Sequence, residues 1–210
     1  MPLDKRPIGR YCSGMQRGDE ARLAIIDAAM REASRIGVAA LTLAPVADRA
    51  GWSKSGLLRH FPTKEALQVA VIHRTAELFR ERVLLPALAA PAGAPRLRAI
   101  FRGWLNWIHN SGLEGGCPLN AARLEFDDQP GEVRDALVAN WNEWTAYLER
   151  QAAKAIELKQ ISTPLSARQI PMVLCGLAAA CDSGSRLLGQ RDALREAEGA
   201  FDQLFPLKSH

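Results

Sequence analysis

Leu97, Ile100, Phe101, Trp104, Leu105 and Ile108 fall at i, i+3, i+4, i+7, i+8 and i+11, a spacing that paints one apolar stripe along a helix and has no meaning on a strand. The same rhythm runs through Leu23, Ile26, Met30 and Ala33, and again through Val133, Leu137, Trp141, Trp144, Leu148, Ala152 and Ala155. No segment alternates apolar and polar residues with period two, and no internal repeat stands out. Helices with one apolar stripe bury it only against other helices, so the predicted fold is all-α with about nine helices. At 210 residues and 48% hydrophobic, such a chain fills one sizeable core or two small ones. The apolar run Ile170–Cys181 contains Pro171 and Gly176 and stops well short of the roughly 20 residues that cross a bilayer. The first residues never lead into an apolar segment of the secretory kind, so the expected compartment is the cytoplasm and no membrane partner is expected.

Start and stop residues place the elements. The first helix runs from Asp19 to a stop at Gly37, and Thr42 caps a second from Leu43 to Ala50 that Gly51 closes. Pro45 is tolerated because it sits in the first turn, where its missing N–H has no partner to lose. Ser53 caps a third helix from Lys54 to Phe61, and Thr63 a fourth that starts at Lys64 and continues past Leu67, Val71, Phe79 and Leu84. The Ala/Pro/Gly stretch Ala87–Pro95 reads as a connector. Beyond the stripe that opens at Leu97, a glycine-rich break at Gly112–Gly116 leads to a short helix over Asn120–Phe126 and a long one opened by Pro130-Gly131. Two last helices span Ser166–Leu188 and Arg191–Leu204. The organisation expected is a flexible basic arm over 1–18, a helix-turn-helix domain over 19–65 and a helical domain over 66–210. The arm carries Lys5, Arg6, Arg10 and Arg17 against Asp4; trailing along a polyanion and having no role both fit it.

Charge is uneven along the chain. Residues 1–65 hold 11 Lys and Arg against 7 Asp and Glu, and the other 145 hold 16 of each. A basic front joined to a neutral body suits a polyanion partner for the front. The four cysteines, Cys12, Cys117, Cys175 and Cys181, form no Cys-x-x-Cys pair, and Cys175 and Cys181, six apart on one helix, point to different faces. They are expected to be reduced, packed thiols, with no metal and no cofactor.

A helix that reads DNA projects small polar and basic side chains into the major groove, braced by a second helix and anchored by groups that grip phosphate. The third helix offers Ser53, Lys54, Ser55, Arg59 and His60 on one side, with Leu57 and Phe61 four apart for packing. In these residues the chain resembles the TetR family of transcriptional repressors. The match comprises Thr42, Val46-Ala47, Ala50-Gly51-Trp52-Ser53-Lys54-Ser55-Gly56, His60-Phe61 and Lys64-Glu65-Ala66-Leu67, in order, within Ala21–Val71. The resemblance implies that Thr42 and Lys64 hold phosphates, that Ser53, Lys54, Ser55, Gly56, Leu57 and Leu58 approach bases or backbone, and that His60 meets a phosphate, with Arg59 as an added contact. Two positions depart from the pattern. Trp52 replaces a small turn residue, and Leu58 stands where the family commonly has a phosphate-binding Tyr, so one backbone contact is expected to be lost.

In the back half the resemblance implies a ligand cavity and a dimer interface. The expected ligand-binding residues are Phe101, Trp104, Ile108, Cys117, Asn120, Phe126, Trp141 and Trp144, with Trp107, His109 and Glu125 as further candidates; a solid aromatic core would place the large side chains alike. Small residues in Ser166–Leu188 let another helix approach closely, and Leu194, Phe201 and Phe205 lie beside them, which suits a homodimer through these two helices or packing within one chain. The expected function is a dimeric repressor on a palindromic operator, released by a small apolar or amphipathic effector; an activator, or a regulator without such a ligand, fits the same residues. An enzyme is disfavoured, because no His-Glu-x-x-His, nucleophile elbow or Gly-rich phosphate loop occurs and Glu125, Asp127 and Asp128 read as a solvated helix end.

Overall fold

Cap residues and glycine stops divide the computed structural model, which describes residues 9–206, into nine helices with no strand among the described residues. They are α1 (Gly9–Ile36), α2 (Leu43–Ala50), α3 (Lys54–His60), α4 (Lys64–Phe79), α5 (Ala94–Asn110), α6 (Pro118–Glu125), α7 (Glu132–Glu157), α8 (Gln169–Arg186) and α9 (Ala193–Leu204). After α4 a π turn (Arg80–Leu84) and one further α turn (Leu85–Ala87) continue the helix. Pro86 has no N–H to offer the Arg82 carbonyl, which disturbs the i→i−4 ladder just there, and the Leu85 N–H reaches back to the Arg80 carbonyl instead.

The all-α expectation holds. One expectation changes: α1 begins at Gly9, ten residues before the expected start at Asp19, so the arm expected over 1–18 is helical from Gly9 onward. A helix needs an apolar stripe only along the length it buries. Residues 1–8 of that arm lie outside the described residues.

Two apolar cores result. The first gathers Ile25, Ala29, Met30 and Ala33 of α1, Val46 and Ala47 of α2, Leu57 and Phe61 around α3, and Leu67, Val71 and Ile72 of α4; Leu119, Ala122 and Phe126 from α6 and Val133 and Leu137 from α7 complete it. The second is built by α5, α7, α8 and α9, with Leu97, Ile100, Phe101, Trp104, Leu105, Leu148, Ile170, Leu174 and Phe201 at its centre. Helix α6 therefore roofs the head, while Cys117, the residue just before it, packs against both cores.

Polar contacts lock this junction. The Ala39 N–H donates to Glu125 Oε2 at 2.9 Å, and the Gly115 N–H donates to Ser34 Oγ at 2.8 Å. Arg35 and Glu114 pair at 3.6 Å, and the buried Gln68 amide donates to the Val38 carbonyl at 2.7 Å. Glu125, expected as a solvated helix end, is instead a bridge from body to head. Within the head, Arg49 pairs with Glu32 and Arg74 joins Asp27 at 3.0 Å and Glu77 at 2.6 Å. Burial works against the Arg74 charge, yet the bonds to Glu77 and Asp27 outweigh it and hold its pKa above the ordinary value. No helix of the described residues is long and apolar enough to cross a membrane.

Candidate DNA-binding surface and ligand cavity

The turn between α2 and α3 depends on Gly51, whose φ of +73° lies in the left-handed region that side chains disfavour. The next N–H, of Trp52, closes the turn on the Ala47 carbonyl at 2.8 Å. Ser53 then caps α3, its Oγ accepting the Gly56 N–H at 3.1 Å, and its hydroxyl lies 3.2 Å from that of Ser55. Leu57 and Phe61 are fully buried and pin one side of α3 to α1 and α2. The opposite side presents Ser53, Lys54, Ser55, Leu58 and Arg59 to solvent.

Thr42 is exposed at the head of α2, with its side chain free of any cap bond. The resemblance implies a phosphate contact for it, and an uncommitted hydroxyl at a helix N-terminus is suited to that. Thr63, by contrast, spends its hydroxyl on the Ala66 N–H at 3.0 Å. Lys64 is half-buried and donates to the Ala39 carbonyl at 2.7 Å. His60 is half-buried too, its ring edge-on to Trp52 with centroids 5.6 Å apart and planes at 88°. Trp52 thus packs the recognition helix from its start, and Gly56 leaves it room: a Cβ there would stand 3.3 Å from the indole. One expected contact is corrected. Leu57 has no exposed surface, because its face of α3 is the one that builds the head core, so its side chain braces the helix and is absent from the exposed face.

A cavity forms where four elements meet: the end of α4 with its π turn, α5, the first turns of α6, and the middle of α7. They enclose a cavity of about 270 Å³ whose wall includes Phe79, Trp104, Cys117, Asn120, Arg123, Trp141, Trp144 and Tyr147. The volume approaches the lower end, about 300 Å³, of typical small-molecule sites. Phe79 is the hub of the aromatics, edge-on to Trp104, Trp107 and Trp144 at centroid separations of 5.9, 5.8 and 5.0 Å; Trp104 meets Trp144 likewise at 5.4 Å. Glu77, Arg80, Glu143 and Arg150, all exposed, stand around its mouth.

Five of the eight expected ligand residues, Trp104, Cys117, Asn120, Trp141 and Trp144, line this wall. The other three do not. Phe101 stacks on Phe201 at 5.0 Å between α5 and α9, Ile108 is buried in the body core, and Phe126 faces the head core. Trp107 and His109 also lie off the wall, His109 exposed near the end of α5. Sequence reasoning overlooked Phe79, Arg123 and Tyr147, although Arg123 lies three residues after Asn120 and Tyr147 three after Trp144, on the same helical faces.

Cys117 lines the wall; Cys175, also near Arg123, does not. Burial pushes Cys117 up; the neighbouring Trp107 indole, the Leu119 and Asn120 N–H groups and the Arg123 charge only partly offset this. Cys175 is pushed up to about 11 by burial, with Arg123 pulling the other way. Both remain protonated at neutral pH.

The comparisons follow this geometry. Residues 25–71 match the family described as bacterial regulatory proteins of the tetR family, and residues 93–201 match the tetracyclin repressor-like C-terminal domain. Among curated proteins none matches the chain significantly. A TetR transcriptional regulator from Chloroflexus aurantiacus superposes with a TM-score of 0.82 at 22% identity, over 92% of this chain and 100% of that one. AibR, solved with isovaleryl coenzyme A and operator DNA, does so at 0.75 and 22% identity over 90% and 100%. A Saccharomonospora viridis protein solved with choline reaches 0.76 at 18% identity over 91% and 100%. At these identities the superpositions speak to the fold. With its helix-turn-helix and its C-terminal body each matched by its own family model, the chain is a DNA-binding transcriptional regulator and belongs to the TetR family.

Proposed function

We propose that the protein is a homodimeric repressor that holds a palindromic operator and lets it go when a small apolar or amphipathic effector enters the aromatic cavity, and that it works in the cytoplasm. One observation carries the reading. Helix α6 touches the cavity with Leu119, Asn120 and Arg123 and the head with Ala122, Phe126 and the Glu125 bond to Ala39. A ligand that shifts α6 therefore changes the seat of the DNA-binding head, and ligand and DNA affinities become reciprocally coupled. Two neighbours of the same fold, AibR and the Saccharomonospora viridis protein, were solved with small molecules, which agrees with an effector-controlled body.

The dimer draws support from α8. Met172, Gly176, Ala179, Ala180, Ser183 and Leu187 are exposed and recur at helical spacing on one side, with Met172 75% and Leu187 80% accessible. Small residues between two large apolar ones admit a second helix closely, and a two-fold pair of α8 and α9 covers them. The two recognition helices would then sit about one DNA turn apart, roughly 34 to 36 Å, or further, on an inverted repeat.

The test is a DNA-binding titration with the region upstream of the coding sequence, with and without compounds that raise the melting temperature. If saturating doses of every such compound leave operator affinity unchanged, effector control is wrong. Glu125→Ala sharpens it: the ligand still binds within about twofold of wild type, while the factor by which it weakens DNA binding shrinks by roughly 2- to 30-fold. An undiminished factor would take Glu125 out of the coupling.

The groove-facing residues have their own measurement. Lys54→Ala lowers the salt slope of operator binding by about one unit, as loss of one phosphate contact should. Lys64→Ala does the same and also lowers the melting temperature, because the Ala39 carbonyl loses its donor. A slope equal to wild type removes either lysine from the contacts.

A further inference from the structure

Two residues of the cavity wall each carry a buried polar atom with no hydrogen-bond partner among the described residues: the Trp144 indole N–H and the Tyr147 hydroxyl. An indole only donates, and a phenol donates readily. On the same wall stands Arg123, half-buried, its guanidinium 4.1 Å over the face of Trp141. Its one hydrogen bond among the described residues goes to the Asn120 side-chain carbonyl at 2.6 Å, and no carboxylate among them comes within ion-pair distance. Asp182 is reached only through Asn120, whose amide donates to it at 3.4 Å. Burial pulls the Arg123 pKa below its ordinary value, and the nearby Cys117 and Cys175 sulfurs only partly restore it. A guanidinium carries five N–H donors in a planar fork that matches a carboxylate, and a buried charge left unpaired is costly.

The cavity therefore offers a cation that no carboxylate among the described residues pairs, inside an aromatic wall whose two carboxylates, Glu77 and Glu143, are exposed. We propose that its ligand is an apolar molecule, aryl or short acyl, bearing a carboxylate, which seats on Arg123 while Trp144 and Tyr147 donate to the remaining oxygen lone pairs. The inference rests on reading this cavity as the effector site and names the chemistry that site selects. An aromatic wall also suits a cationic head group, but here the Trp141 face already carries Arg123, and Arg80 and Arg150 stand at the mouth. Of the mouth's carboxylates, Glu77 is held by Arg74 at 2.6 Å, which leaves Glu143 as the only one without a partner among the described residues. A carboxylate on Arg123 also competes with Asn120 for the guanidinium, which reaches both α6 and, through Asp182, α8.

Isothermal titration of the full chain at neutral pH with 3-phenylpropionate, 3-phenylpropionamide and choline decides the matter. The acid is expected to bind roughly 10- to 100-fold more tightly than its amide, the range of hydrogen bonds to a charged group. Arg123→Met, which keeps the apolar stem, brings the acid down to within about twofold of the amide and leaves the amide unchanged, which also shows that the variant is folded; Arg123→Lys restores part of the preference. Tyr147→Phe keeps the ring and lowers acid affinity by roughly threefold. Equal affinity for acid and amide, tighter binding of choline, or a preference that survives Arg123→Met would each overturn the carboxylate assignment while leaving the effector site standing. Failure of all three probes to bind would sink both.

Discussion

Gly115→Ala is expected to cost about 3 kcal/mol of stability, the upper part of the usual range for overpacking, and so to lower the melting temperature by roughly 6 to 12 °C in a chain of this size. The reason is a backbone-to-backbone approach. A Cβ on Gly115 would overlap the Ser34 carbonyl and come within 2.7 Å of Arg35 Cα, both backbone atoms of the last turn of α1, which cannot swing aside as a side chain can. The Gly115 N–H is also bound to Ser34 Oγ at 2.8 Å, so the loop cannot back away without leaving that hydroxyl, in a residue 8% exposed, unpaired. The damage falls at the seam between head and body, and the operator response to ligand should weaken with stability. Gly18→Ala is the control of opposite sign: Gly18 lies within α1 with nothing within 4 Å of its would-be Cβ, so alanine should stabilise by roughly 0.5 to 1 kcal/mol. Thermal unfolding followed by circular dichroism reads both, and a Gly115→Ala protein that melts with wild type would refute the close approach.

Phe61→Ala should be costlier, about 3 to 5 kcal/mol by the record of buried phenylalanines, and its loss should be seen in DNA binding. Phe61 has no exposed surface. Its N–H ends α3 on the Leu57 carbonyl at 2.9 Å, and the Arg22 guanidinium of α1 lies 4.8 Å over its ring. Truncation removes the anchor that holds the recognition helix at its C-terminal end, and no neighbour on a seven-residue helix can refill the space. Operator affinity is expected to drop at least roughly tenfold, as a cost above 1.4 kcal/mol borne by the bound conformation requires. The cavity is built mainly from the second core, so quenching of the Trp104, Trp141 and Trp144 fluorescence by ligand should persist. Leu58→Ala separates packing from contact: Leu58 is 38% exposed, and its loss should move stability by no more than about 0.5 kcal/mol. If Phe61→Ala bound DNA as wild type does, the bracing role would be wrong.

What was legible in the residues was local. Helix periodicity, Ser53 and Thr63 as caps, and Gly37 and Gly51 as stops depend on neighbours within a turn or two, which is why the helices and the helix-turn-helix emerge with nearly the bounds observed. The same local rules misjudged α1, because Gly9–Gly18 carries no stripe to announce it. The candidate site was legible only by halves. Phe101, Trp104, Trp141 and Trp144 obey one rule, an apolar residue on the inward face, and that rule is silent on whether the inward face meets a neighbour or a gap. Tertiary packing separated them: Phe101 found Phe201, exactly a hundred residues further on in the chain, whereas Trp104, Trp141 and Trp144 were left facing a cavity beside Phe79.

Arg123 and Glu125 show the limit most clearly. On paper both belong to a polar stretch at the end of a short helix, with solvent as the natural surroundings. In the fold, α6 is wedged between the two cores, so Arg123 turns to the cavity and Glu125 to the Ala39 N–H, 86 positions away in the chain. The sequence by itself determined the helices, their order and the polar reading face of α3, since these follow from interactions between residues close in the chain. Only the tertiary structure decided which aromatics line a cavity, that Arg123 lies half-buried on its wall, and how the body holds the head, because each depends on helices that meet only after the chain has closed on itself.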